Sequence, residues 1–198
     1  MAAPASKDTL NLVGTWELNR KLSDDPDKLF ALQGVPWVVR KVLRYANLSL
    51  QIAQAITSDG DGDATEKDEN GAASGTSTTT LHIKQVVHPG GFDSDGTCPV
   101  NGKDQEMALP IFGDIVMSLQ YISLDDVPDE TLRQRLSGGT QCKVVIDEAA
   151  HNKAKGWTAR VMWGFEIIDG KRYFTRNATT SKDEQTVNSR MVYDYRSC

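Results

Sequence analysis

The sequence predicts an all-β protein, built as one closed antiparallel barrel with a short helix-turn-helix insertion after the first strand. About nine short segments alternate apolar and polar residues, which is the period of a strand buried on one face. Turn-rich connections separate these segments, and the strand–helix–strand alternation typical of a parallel sheet does not occur. At 198 residues the chain suffices for one domain with a substantial core. Since closure removes exposed sheet edges, we expect a barrel rather than an open sheet.

The chain is expected to begin with a flexible leader over residues 1–10, followed by a single barrel domain over residues 11–198. The first strand is predicted over residues 12–20, where the apolar side chains, including Trp16, fall on one face. Capping residues and a proline at 23–27 then mark the start of a helix.

A Gly-Val-Pro sequence at 34–36 interrupts this helix, and a second short helix is predicted over residues 37–46. The two helices therefore form an insertion between the first and second strands. The remaining strands are expected near residues 48–56, 80–88, 105–112, 115–123, 141–148, 157–168, 171–180 and 186–195, with one short helix within 124–139.

Two connections carry distinct signals. Residues 58–79 hold almost no apolar side chains and are predicted to be a mobile acidic loop, because they cannot bury enough apolar area to offset the entropy of ordering. Asp169-Gly170, in contrast, predicts a tight hairpin turn between the two strands that flank it.

The predicted inner faces are bulky and aromatic. Such a set could fill a small core, but a barrel of eight or more strands also leaves room for a ligand. We therefore expect an internal chamber whose apolar walls bind a hydrophobic small molecule, with polar side chains on the same faces as candidate catalytic groups. The candidate ligand-binding residues are Trp16, Leu50, Ile52, Met117, Trp163, Phe165 and Met191, and the candidate catalytic residues are Tyr193, Gln54 and Tyr121.

Composition argues against several classes of partner. The net charge of −5 offers no basic surface for nucleic acid, and no apolar run approaches the ~20 residues of a membrane span, so neither partner is expected. The three cysteines are too scattered for a disulfide framework, and the first residues lack the apolar core of a secretory signal. A reduced, cytoplasmic protein is the expectation, and the oligomeric state stays open.

No cofactor and no bound metal are predicted. The three histidines do not form a ligand cluster, and no phosphate-binding glycine motif or nucleophile signature occurs. Covalent, metal-dependent and nucleotide-dependent mechanisms are therefore disfavoured.

Two segments resemble known families. Val13-Gly-Thr-Trp16 resembles the Gly-x-Trp signature that opens lipocalins and fatty-acid-binding proteins, and residues 30–41 resemble the helical lid of the latter. The resemblance implies a calycin fold, the lipocalin-like barrel. It departs from the fatty-acid-binding pattern in the last strand, where the spacing of Arg190 and Tyr193 places them on opposite faces. A free fatty acid is therefore not the first-choice ligand.

The chain is also similar, over nearly its whole length outside the loops, to fungal lipocalin-like proteins of secondary-metabolite pathways. The similarity includes Ala31-Leu-Gln-Gly-Val-Pro-Trp, Trp163-Gly-Phe-Glu and Val192-Tyr-Asp-Tyr. Some members are hetero-Diels–Alderases of tropolone sesquiterpenoid biosynthesis, which assist loss of water to an o-quinone methide and its addition to a terpene alkene. The resemblance implies a cofactor-free pericyclase or cyclase of a hydrophobic, terpenoid intermediate. A non-catalytic carrier of such a molecule is the alternative.

Overall fold

The computed structural model describes residues 1–58 and 77–196, and it contains ten strands, three α-helices and one short 3-10 helix. The strands are β1 Gly14–Leu18, β2 Asn47–Ser58, β3 Ser77–His88, β4 Ser94–Pro99, β5 Gln105–Leu109, β6 Gly113–Ser123, β7 Val144–Asn152, β8 Trp157–Ile168, β9 Lys171–Lys182 and β10 Gln185–Arg196. The helices are α1 Asp27–Leu32, α2 Trp37–Tyr45 and α3 Glu130–Ser137.

The strands form one antiparallel sheet in the order β4-β3-β2-β1-β10-β9-β8-β7-β6-β5, so the pairing of β1 with β10 joins the two ends of the chain. The sheet ends at β4 and β5, which face each other across a narrow gap. There the Cys98 thiol donates to the Met107 sulfur at 3.8 Å, and Val100 forms a bridge with Leu119. The predicted antiparallel barrel is confirmed, with closure incomplete only at this seam.

The predicted helix-turn-helix insertion is also confirmed, since α1 and α2 lie between β1 and β2. Proline precedes each helix at the position where its missing N–H costs nothing. Leu29 of α1 packs into the main core, while Leu43 of α2 packs with Val35 and Val87 at the mouth of the barrel. The two helices therefore cover one end of the barrel, which we call the lid end.

The opposite, closed end is covered by the first residues of the chain. The Ala3 amide donates to the Arg172 carbonyl at 2.7 Å, and the Thr9 hydroxyl donates to the Val144 carbonyl at 2.5 Å. Thr9 is fully buried. Residues 1–10 thus pack against the strand ends, which differs from the loose leader that their composition suggested.

Two further expectations need correction. Between the strands expected near residues 80–88 and 105–112, where the sequence predicted only a connection, the structure contains β4, which pairs with β3 from Gln85 to Thr80. Strand β4 was not predicted because its glycine, proline and polar residues are uncommon in strands. Pairing with β3, rather than local propensity, stabilises it. The single helix expected within 124–139 is two pieces, a 3-10 turn at Leu124–Asp126 and then α3, because Pro128 interrupts it.

The loop expected over residues 58–79 falls mostly on residues 59–76, which lie outside the described residues, and that expectation stays a prediction. Its ends differ from the predicted bounds, since Ser58 pairs with Ser77 as the last pair of the β2–β3 hairpin. The hairpin turn at Asp169-Gly170 is confirmed, with positive φ angles of 49° and 71° as a two-residue turn of this type requires.

The main core fills the closed end with aromatic rings. Phe174 lies 5.1 Å from Trp16, 5.7 Å from Phe165 and 5.4 Å from Tyr193 between ring centroids. Tilted rings at these separations stabilise the core beyond their buried area. The closed end is therefore densely packed with aromatic rings.

On the outer face, a buried carboxylate ties the helix α3 to the sheet. Glu166 accepts from Asn177 at 2.9 Å and pairs with Arg190 at 3.2 Å and Arg135 of α3 at 3.5 Å. Arg190 therefore points outward while Tyr193 points inward, which confirms their predicted placement on opposite faces. No helix among the described residues is both long and apolar enough to cross a membrane.

The end of α3 approaches the backbone of β8 too closely for any side chain at Gly139. An added Cβ would overlap the Phe165 carbonyl and lie 2.7 Å from the Glu166 nitrogen, whereas at the adjacent Gly138 the nearest atom would be 3.8 Å away. The turn that follows α3 therefore contacts the backbone of β8 at this point.

We expect Gly139→Ala to lower the free energy of unfolding by about 1–3 kcal/mol, because backbone must shift to accept the methyl group. Gly138→Ala is the matched control and is expected to change stability little, since its methyl would make ordinary contacts. Urea unfolding of both variants measures the difference, and equal stabilities would show that the turn after α3 does not rest on the β8 backbone.

Candidate functional site

An internal cavity of about 410 Å³ occupies the lid-end half of the barrel. Its walls come from the inner faces of the strands, and its roof comes from α1, α2 and the turn that joins β5 to β6. We call this cavity the chamber. Most of its surface is apolar, and the apolar walls include Leu50, Ile83, Met107, Met117, Val161, Trp163 and Met191.

A buried ion pair lies on the inner face of the barrel and borders the chamber. The Arg176 Nη2 group of β9 donates to Glu148 Oε2 of β7 at 2.7 Å, with the two side chains 15% and 9% exposed. Both residues line the chamber. They stand on either side of β8, which separates β7 from β9 in the sheet, so the pair spans one strand.

Trp163 of that intervening strand completes the cluster. Its indole Nε1 donates to the same Glu148 oxygen at 2.7 Å, and the Arg176 guanidinium lies over its ring, 4.4 Å from the centroid. One carboxylate oxygen thus accepts two donors while the cation stacks on the donor's ring. These contacts hold all three side chains in one arrangement.

Tyr193 of β10 lies beside this cluster and is fully buried. Its hydroxyl donates to the Met191 sulfur at 3.7 Å, which is a weak interaction. Burial raises the pKa of the Tyr193 phenol, although the neighbouring Arg176 cation opposes the rise. The phenol is therefore a neutral hydrogen-bond donor at physiological pH.

Arg176 stays charged for the complementary reason. Burial disfavours the cation, but the Glu148 carboxylate and the Tyr193 oxygen outweigh that cost and raise the pKa of Arg176 above its ordinary value. The cluster of Glu148, Arg176, Trp163 and Tyr193, which we call the polar cluster, therefore presents a fixed anion, a fixed cation and a neutral phenol to one apolar chamber.

Other lining residues carry buried polar atoms without a hydrogen-bond partner among the described residues. They are Gln33 Oε1 at the end of α1, Trp157 Nε1 at the start of β8 and Thr180 Oγ1 near the end of β9. All three lie toward the lid end, away from Tyr193 near the far end of β10. The chamber thus has scattered polar atoms near its mouth and one organised polar cluster deeper inside.

The structure brings five of the sequence-predicted site residues to the chamber. Tyr193 is the candidate catalytic residue among them, and the candidate ligand-binding residues are Leu50, Met117, Trp163 and Met191. Alternation placed all of these side chains inward, as the pairing registers bear out.

The other five predicted residues also point inward but lie at the closed end. Gln54 donates to the Leu10 carbonyl at 2.8 Å, and the Trp16 indole donates to the Leu12 carbonyl at 2.8 Å. Both therefore serve to seal the barrel against the first residues of the chain. The remaining three, packed in or against the same core, are Ile52, Tyr121 and Phe165.

Glu148 and Arg176 were missed by reasoning from the sequence. The signal was present, because Glu148 alternates with the inward Ile146 and Ala150, and Arg176 alternates with the inward Phe174 and Ala178. Opposite charges on two inner faces predict an internal ion pair. The described residues contain no group of three or more His, Cys, Asp or Glu side chains arranged to hold a metal ion.

Comparison with known proteins gives two relatives that share nearly the whole chain, while no family model matches. The probable pericyclase scpY of Mollisia scopiformis is 30% identical over 198 residues, which cover 98% of this chain and 94% of that protein. The pericyclase pydY of an Acremonium species is 22% identical and covers 98% of this chain and 97% of that protein.

Solved structures share the fold at lower identity. The REP1-NXSQ fatty acid transporter superposes with a TM-score of 0.53 at 15% identity, covering 94% of this chain and 97% of that one. The fluorescent protein UnaG gives a TM-score of 0.53 at 13% identity, covering 93% and 97%. These likenesses show the calycin barrel of fatty-acid-binding proteins.

The role of the Trp163 indole can be tested by stability. We expect Trp163→Phe to lower the free energy of unfolding by about 1–3 kcal/mol, because the buried Glu148 carboxylate loses one of its two donors. Trp157→Phe, on the same strand and face, is the matched control, since its indole N–H bonds to no described residue. Thermal or urea unfolding compares them, and an equal loss in both variants would contradict a special role for the Trp163 donor.

Proposed function

We propose that this chain, which belongs to the fungal lipocalin-like family of pericyclases, is itself a cofactor-independent pericyclase that closes a ring in a hydrophobic intermediate held inside the barrel. The observation that carries the proposal is the coexistence of a mostly apolar chamber beneath the lid helices with one fixed polar cluster on its wall. A carrier needs only the chamber. A cyclase also needs groups that act on the electrons of the reacting atoms.

The finer proposal is a hetero-Diels–Alder reaction preceded by dehydration. A hydroxymethyl group beside a phenol or tropolone oxygen loses its hydroxyl while the ring oxygen loses its proton, so one water leaves and an o-quinone methide remains. The conjugated oxygen and exocyclic carbon of that intermediate then add across an alkene. One C–O bond and one C–C bond form together, and no oxidant or reductant is consumed.

The polar cluster supplies the donors that such a reaction uses. A hydrogen bond from Tyr193 or Arg176 to the quinone methide oxygen withdraws electron density and stabilises the charge that this oxygen gains in the transition state. Because the donors are fixed before the substrate arrives, little reorganisation accompanies the reaction. The hydrogen bond to Glu148 holds the Arg176 guanidinium in one position on the chamber wall.

The apolar walls contribute by position and by exclusion of water. Folding two reacting ends into near-attack geometry removes part of the entropic barrier before the chemical step. A quinone methide in water adds a hydroxyl group instead of an alkene, and a dry chamber prevents this side reaction. The lid helices α1 and α2 cover the entrance that such an intermediate would otherwise leave through.

The second candidate is a carrier of a hydrophobic metabolite, favoured by the fold shared with a fatty acid transporter. To separate the two, an o-quinone methide precursor and a cyclic terpene alkene are incubated with and without the purified protein. A pericyclase raises the rate of cycloaddition and yields an excess of one enantiomer. Tight binding of the product at an unchanged rate, with a racemic product, would support the carrier and contradict the cyclase.

Removal of a single hydroxyl tests the proposed donor. We expect Tyr193→Phe to lower the rate of cyclisation by ~10²–10³ with little change in melting temperature, because it deletes a donor and keeps the ring. Tyr195→Phe is the matched control, since Tyr195 lies two residues further along β10 and packs on Trp16 at the closed end. Full activity in Tyr193→Phe would assign the donor role to Arg176 alone.

A further inference from the structure

We propose that the polar cluster selects a neutral substrate head group in which a hydrogen-bond donor stands beside an acceptor, as in an amide, a lactam or an enolised dicarbonyl, and that it disfavours carboxylates. The inference deepens the proposed function by naming the class of substrate. It rests on that function only in taking the chamber as the substrate site.

Each side chain of the ion pair has polar atoms that make no hydrogen bond to the described residues. The recorded hydrogen bonds of Glu148 both end on Oε2, and Arg176 meets it through Nη2. Glu148 Oε1 and Arg176 Nη1 bond to no described residue, and Arg176 Nε is buried without a hydrogen-bond partner. The side chains of Arg176 and Glu148 remain 15% and 9% exposed. Since both residues line the chamber, these two atoms are free to meet a ligand.

Glu148 Oε1 and Arg176 Nη1 differ in the hydrogen bonds that they can make. A carboxylate oxygen only accepts a hydrogen bond, and a guanidinium nitrogen only donates one. A ligand that satisfies both must therefore offer a donor to Glu148 and an acceptor to Arg176. An amide N–H beside its C=O fits, as does an enol O–H beside a ketone, and hydrogen bonds to charged partners are the stronger kind.

The charged residues that line the chamber also disfavour an anionic ligand. The chamber lining carries three arginines, Arg20, Arg44 and Arg176, against four carboxylates, Asp24, Asp25, Asp95 and Glu148. The lining therefore carries no net positive charge that would attract an anion. A ligand carboxylate beside Arg176 would also face the Glu148 oxygen, where two like charges in a poorly solvated site repel. A neutral head group avoids that repulsion.

The test uses three probes that share one alkyl chain and differ only in the head group: decanamide, methyl decanoate and decanoate. Their dissociation constants for the full chain are measured near neutral pH by calorimetry or by quenching of tryptophan fluorescence. We expect decanamide to bind more tightly than decanoate by tenfold or more, the effect of one hydrogen bond to a charged group. Decanoate binding as tightly as decanamide would overturn the proposal.

Two single variants test whether the Glu148 carboxylate sets the binding order of the probes. Glu148→Gln leaves Arg176 as an unpaired cation and removes the charged acceptor for the amide N–H. Decanoate is therefore expected to gain and decanamide to lose about tenfold in affinity each, which inverts the order of the two probes. The matched control is Asp147→Asn, which removes the next carboxylate along β7 on the outer face, where it pairs with Arg160 at 2.8 Å. The control should leave the order unchanged, and inversion in both variants would overturn the local explanation.

Should Glu148→Gln fail to fold, the double variant E148M/R176M replaces the ion pair by apolar side chains, an exchange that buried pairs often tolerate. Its preference for decanamide over methyl decanoate should disappear, and a retained preference would overturn the proposal. The binding order is independent of turnover. A protein that shows the order but no cyclisation contradicts only the proposed function, and one that cyclises yet prefers decanoate contradicts only this inference.

Discussion

The ion pair between Glu148 and Arg176 is the interaction that organises the polar side of the internal chamber. A charge facing an apolar interior is tolerated only when it is paired and hydrogen-bonded, and here one carboxylate oxygen meets both the guanidinium and the Trp163 indole. Removal of one partner would leave a buried charge without compensation, which typically costs about 3–5 kcal/mol. The pair therefore fixes Trp163 and keeps Arg176 beside Tyr193.

Strand alternation made the inner faces predictable from the sequence. Trp163, Met191 and Tyr193 all lie inward as expected, because a period of two leaves only two directions for each side chain. Position along the barrel axis was not predictable in the same way. Gln54 and Tyr121 point inward yet lie at the closed end, where packing of residues 1–12, absent from any local pattern, separates them from the chamber.

The strand β4 and the ion pair show a second limit of pattern analysis. Strand β4 has a sequence typical of a connection, and it exists because β3 offers it a partner. Glu148 and Arg176 are 28 residues apart, so their meeting depends on three strands standing side by side. The calycin fold alone does not define the activity, since fatty acid transporters share it. In the proposed function, the polar cluster supplies the chemistry that separates a cyclase from a carrier, because a fold hosts many functions and the site decides among them.

The central claim is that the reacting oxygen of the substrate lies against the polar cluster. A crystal structure of the protein with its cyclised product tests this most directly. The account predicts a product oxygen within hydrogen-bond distance, about 2.7–3.2 Å, of the Tyr193 hydroxyl or an Arg176 nitrogen, with the hydrocarbon against Met117 and Val161. A product whose oxygens all face the lid helices, with only hydrocarbon beside Arg176 and Glu148, would contradict it.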